Sequence, residues 1–137
     1  MLRPLTPEHP DDETFEGLLI VRPEGRLFFV NAQYVADRIH ALVAEHRPRV
    51  VALDLSRVSD VEYSALQTLM EGEQRMTEAG TVVWLAGMNP GVLDVARRAG
   101  LDQRLGRERM LFNARAVIER YQALDAADLK APSVMPV

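Results

Sequence analysis

At 137 residues the chain has length for one domain with one hydrophobic core. Its 47% apolar and 26% charged residues are those of an ordinary globular protein, and a net charge of −4 gives no support for nucleic-acid binding. The absence of cysteine excludes a disulfide framework, thiolate metal sites and a cysteine nucleophile, and it suits a reducing compartment.

Residues 1–14 read as an acidic, Pro-rich linker, carrying Pro4, Pro7 and Pro10 with Glu8, Asp11, Asp12 and Glu13. The domain proper is expected over residues 15–124, and residues 125–137 read as a tail. The runs Gly17–Pro23 and Arg26–Val30, separated by Pro23-Glu24-Gly25, predict a β-hairpin. Asn31 then stands as an N-cap, with Val35, Ile39, Leu42 and Val43 on one helical face. The nearly continuous apolar run Val50–Leu55 predicts a strand covered on both faces.

Ser64 with Gln67 forms a candidate capping box for a helix whose buried stripe is Leu66, Leu69, Met70 and Met76, ending at Gly80. Val82–Ala86 is the next buried strand, and Asn89-Pro90 opens a helix with Val92, Val95, Ala96 and Ala99 inward, closed by Gly100. Arg109–Phe112 is a short strand candidate, and Asn113 caps a last helix with Val117, Ile118 and Tyr121 inward. This order predicts an α/β fold, a mixed and mainly parallel sheet with an N-terminal hairpin and flanking helices. In such sheets partners meet the carboxyl ends of the strands, here Asp54–Ser64 and Gly87–Gly91. No run approaches the roughly 20 apolar residues of a membrane span, and no apolar leader is visible, so the chain by itself is expected to be soluble and cytoplasmic.

Enzyme signatures are missing: there is no GxSxG, Walker A, GxGxxG or HExxH. His40 and His46 lie six apart on one predicted helix, a poor spacing for joint metal ligation, and His9 lies in the linker. Asp54 and Ser56 have no histidine nearby in sequence to activate a hydroxyl. The expectation is a non-enzyme without cofactor or metal. The Ser56–Ser64 segment has two readings. It is an anion or phosphate seat, with hydroxyls at Ser56, Ser59, Tyr63 and Ser64 at a helix start. Alternatively, Ser64 caps the helix and Asp60 and Glu62 suit its dipole.

The segment LDLSRVSDVEYSAL, Leu53 to Leu66, resembles the signature of STAS domains, the family of sulfate-transporter and anti-sigma-factor-antagonist domains. The run WLAGMNPGVLDVARRAGL, Trp84 to Leu101, is similar to the family's next strand and helix. The resemblance implies the STAS (SpoIIAA-like) fold over about Phe15 to Ala123, with Asp54, Ser56, Glu62, Tyr63 and Ser64 forming a regulatory or partner loop. A protein partner or a nucleotide is the candidate occupant there. In the antagonists a serine at the start of this helix is phosphorylated. Tyr63 takes that position here and Ala65 takes that of the usual glycine, so the serine switch is expected to be absent unless Ser64 substitutes.

GLLIVRPEGRLFFVNAQ, Gly17 to Gln33, resembles the start of the cytoplasmic C-terminal domain of bacterial SulP-type sulfate permeases. That implies a regulatory domain on the cytoplasmic face of the plasma membrane, with the parent transporter's membrane domain as partner. The alternative is a free-standing antagonist-like signalling protein. Between Arg97 and Arg120 seven arginines face three acids, an excess that is either a solvated surface or a contact with anionic lipid. Arg97, Arg98 and Arg104, flanking Gly100, are its candidate residues.

Overall fold

Val50–Leu55 is apolar except for Asp54 because it runs down the middle of the protein. The computed structural model describes residues 2–4 and 16–130, and His9 and most of the acidic lead lie outside them. The elements are β1 (Leu2–Pro4), β2 (Leu18–Pro23), β3 (Gly25–Leu27), α1 (Phe29–His46), β4 (Val50–Asp54), β5 (Val58–Val61) and α2 (Tyr63–Glu78). Then come β6 (Val82–Ala86), α3 (Pro90–Arg98), α4 (Leu101–Leu105), a 3-10 turn (Arg107–Arg109), β7 (Met110–Leu111) and α5 (Ala114–Lys130). The main sheet has the order β1-β2-β4-β6-β7, parallel except for β1. The expected mixed, mainly parallel α/β architecture is therefore present.

Alternate residues of the central strands feed two cores. Leu19, Val21, Val51, Leu53, Val83 and Leu85 meet buried residues of α1, α2, α3 and α4. Leu18, Ile20, Val50, Ala52, Trp84 and Ala86 meet Val117 and Tyr121 of α5 on the opposite face. Burial on both sides is what removes polar residues from these strands.

Several elements differ from expectation. The runs Gly17–Pro23 and Arg26–Val30 do not pair with each other as the expected hairpin. After Gly25, at φ +91°, β3 pairs in parallel with β5 as a separate two-stranded sheet, and the antiparallel edge of the main sheet is β1. Phe29 and Val30 belong to α1, which starts two residues before the expected Asn31 cap. The Asn31 side chain accepts the Phe28 amide at 2.9 Å and donates to the Arg26 carbonyl at 2.8 Å, which bends the chain into the helix early. Leu101–Leu105 is an additional helix after Gly100, at φ +78°. The strand expected at Arg109–Phe112 shortens to Met110–Leu111, leaving Phe112 exposed, and α5 continues to Lys130.

The Asn89 cap is as expected. Its Oδ1 accepts the Val92 amide at 2.8 Å, and its Nδ2 donates to the carbonyls of Val58 and Ser59 at 3.4 and 3.2 Å. One side chain thus starts α3 and covers an open edge of β5, a place where unpaired backbone would otherwise invite association.

Candidate functional site

The carboxyl end of the sheet gathers the candidate loop. Asp54, the last residue of β4, is 2% exposed. One carboxylate oxygen accepts from Arg22 Nε at 2.9 Å and the other from the Ser56 amide at 3.0 Å. The next strand presses against it: a Cβ on Gly87 would lie 2.8 Å from Asp54 Oδ1 and 3.0 Å from the Ser56 nitrogen. Gly87 also sits at φ +74°, which an L side chain resists, so both space and backbone call for glycine. Asp54 is a tie joining β2, β4 and the turn at Ser56, while Ser56 itself is exposed.

Glu62 makes the second tie. Its amide donates to the Leu27 carbonyl at 2.9 Å, and its Oε1 accepts from the Phe29 amide at 2.9 Å. Helix α1 has no acid in its own first turn, so the carboxylate from the start of α2 supplies the favourable charge to the α1 N-terminus. Glu62 is the N-cap of α2, without a side-chain cap bond. The expected Ser64–Gln67 capping box is therefore corrected: Ser64 is the second residue of the helix and is exposed. The cap lies earlier because the Glu62 amide is already bound to β3, and the chain turns helical directly beyond that bond. Tyr63 is 46% exposed, and Ala65, in the position of the usual glycine, is fully buried.

The amides of this end face the protein's own acids: Ser56 faces Asp54, Val61 faces Asp60 at 2.9 Å, and Phe29 faces Glu62. This arrangement favours a structural role for the acids over an anion seat. His40 and His46 are exposed on α1. Among the described residues no group of three or more His, Asp or Glu stands together as a metal site.

The three candidate arginines differ in their partners. Arg97 and Arg98 are exposed at the far end of α3, roughly 12 Å along the helix from Asn89. Arg98 pairs with Asp94 at 3.3 Å. The Arg104 Nε lies 2.6 Å from Oε1 of Glu73, which is 5% exposed. The other Glu73 oxygen accepts from Thr77 at 2.8 Å and Arg109 at 3.3 Å. Sequence reading passed over Glu73, although it stands on the buried stripe of α2 between Met70 and Met76, where a charge signals an ion pair. The exposure of Phe29 and Val30 was also missed, because both lie in the run Arg26–Val30 that reads as a strand.

A STAS-domain family model matches residues 9–120, and the chain belongs to that family. Among curated proteins it is similar to the probable sulfate transporter 4.2 of Arabidopsis thaliana, 26% identical over 112 residues, which is 74% of this chain and 16% of that protein. It is also similar to the high affinity sulfate transporter 2 of Stylosanthes hamata, 22% identical over 130 residues, 88% of this chain and 20% of that protein. The chain thus spans a fifth or less of the length of these relatives.

Among solved structures, a sulfate transporter family protein from Wolinella succinogenes matches with a TM-score of 0.73 at 23% identity, covering 86% of this chain and 95% of that one. The STAS domain of a SulP transporter from Vibrio cholerae matches at 0.68 and 23% identity, covering 87% and 92%. The unphosphorylated anti-sigma factor antagonist SpoIIAA matches at 0.66 and 15% identity, covering 82% and 94%. These likenesses show the STAS (SpoIIAA-like) fold. No helix among the described residues is long and apolar enough to cross a membrane.

Proposed function

We propose that this chain is the cytoplasmic regulatory and interaction domain of a SulP-type secondary anion transporter, with sulfate as the substrate class and no catalysis of its own. One observation carries the reading: the curated relatives are named as sulfate transporters, and the chain spans only 15–20% of their length, the share of an appended domain. Two features of the site support it. Tyr63 stands where the antagonist resemblance expects a serine, and the buried Asp54 carboxylate is held by Arg22 and Ser56. The loop at Glu62–Ser64 is then a contact surface for other protein segments.

The exposed position of Ser64 gives the signalling alternative its one structural support. The mass and fraction of the native gene product separate the two readings. An antibody to this domain should detect a polypeptide several times longer than 137 residues in the membrane fraction. A soluble product of about 15.4 kDa, with stoichiometric phosphate on Ser64 by mass spectrometry, would instead establish the antagonist-like protein.

A further inference from the structure

Four of the large apolar side chains left exposed among the described residues stand where α1 and α2 begin: Phe29 at 71%, Val30 at 76%, Tyr34 at 64% and Tyr63 at 46%. Phe29 and Val30 open α1, Tyr34 follows one turn later, and Tyr63 opens α2. The bond from the Phe29 amide to Glu62 holds the two helix starts side by side. Helix chemistry does not ask for these residues, since first turns favour small polar and acidic side chains. With aromatic side chains spanning about 150–250 Å² each, the four present on the order of 500 Å² of surface. That is near the top of what a monomer ordinarily leaves uncovered, and patches of this size mark interaction sites.

The surroundings select the class of partner. Arg26 lies 3.5 Å from Asp60, 3.7 Å from Glu62 and over the Phe28 ring at 5.7 Å, and Arg57 lies 3.3 Å from Glu24. The charges here are of both signs and paired with each other, so the patch has no positive field to draw it onto anionic head groups. An apolar centre with a polar rim is the anatomy of a protein contact.

Size then selects the kind of contact. A stable contact between free proteins covers about 800 Å² on each partner, more than this patch supplies. A covalently tethered surface can do with less, because a linker raises the effective concentration to about the millimolar range. The longer relatives provide such a tether in principle, since this chain is 15–20% of their length. The position of β1 fits as well: Leu2 pairs with Pro23, so β1 starts at the same end of the sheet as the patch.

We propose that the Phe29–Val30–Tyr34–Tyr63 patch seats an apolar surface of the membrane-embedded part of the same polypeptide. This rests on the transporter reading and adds the face of the domain that makes the contact. The arginines at Arg97 and Arg98 then lie at the end pointing away from it.

Photo-crosslinking of the native gene product in its own membranes tests the proposal, with a benzophenone amino acid at Val30 or, as control, at Gln122 on α5. The expected product is an intramolecular link from position 30 to a membrane-embedded peptide, in about tenfold excess over position 122, as a high effective concentration requires. The isolated domain carrying the label at position 30 should melt like wild type. Links from position 30 only to lipid, only to a second copy at doubled mass, or at the level of position 122 overturn the proposal. The transporter reading survives those outcomes, because it is judged by the mass and fraction of the product. A product without a membrane-embedded part overturns both.

Discussion

The two ends of the parallel sheet use similar hydrogen bonds to opposite effect. At the amino end the bonds close the structure. The Thr81 hydroxyl donates to the Pro48 carbonyl at 3.1 Å, and the amides of Arg49 and Val50 both donate to Gly17 at 2.8 and 3.0 Å. The Tyr121 hydroxyl donates to the Glu16 carbonyl at 2.6 Å and accepts from Arg49 at 2.9 Å, with the guanidinium over the tyrosine ring at 5.4 Å. At the carboxyl end Asp54 and Glu62 tie strands and helices just as firmly, yet Phe29, Val30 and Tyr63 are left in the open. A tied scaffold that presents uncovered aromatics is a platform, and a tied scaffold without them is a closure. Rigidity alone does not distinguish the two ends; what they expose does.

Breaking the ties end by end tests this contrast. Asp54→Ala leaves Arg22 facing a vacated carboxylate site and frees the Ser56 amide, so it should lower unfolding stability by about 3 kcal/mol, read as a lower urea midpoint. At the other end Tyr121→Phe keeps the ring on Arg49 and removes only the hydroxyl bonds; a loss of about 1 kcal/mol is expected in the same titration. Glu62→Gln retains an acceptor for Phe29 but removes the charge from the α1 terminus. Thermal melts should register about 0.5 kcal/mol, shrinking further in high salt. Smallest of all is Val30→Asp, which touches an exposed position and should stay within about 0.5 kcal/mol of wild type. A Val30→Asp loss as large as that of Asp54→Ala would show that the patch is core-like and end the contrast.

The fold was legible where burial is symmetric. Val50–Leu55 and Val82–Ala86 read as buried strands because helices cover both faces, and Asn89-Pro90 read as a helix start because cap and proline act within four residues. Elements defined by distant pairing were not legible. Val58–Val61 looked like loop because only Val58 and Val61 are buried, and it becomes a strand through bonds to Gly25–Leu27. Phe28-Phe29-Val30 looked like strand because an apolar run does not distinguish a strand from a helix start, and only the side chain of Asn31 decides it.

The site divides along the same line. Asp54 and Glu62 stood out as residues, but their roles depend on Arg22 and Phe29, which lie 32 and 33 positions away. The ion pair of Arg104 was not legible because its partner Glu73 is 31 residues earlier.

Sulfate uptake tests the central claim most directly, that this domain serves a transporter through contact at the carboxyl end of its sheet. Membrane vesicles carrying the native gene product, wild type or Val30→Asp, would be compared for uptake of radiolabelled sulfate. The account predicts wild-type uptake above that of vesicles lacking the protein, and a fall of about fivefold or more in the variant, the lower range of ordinary coupling between sites. Equal uptake by the two proteins would contradict it.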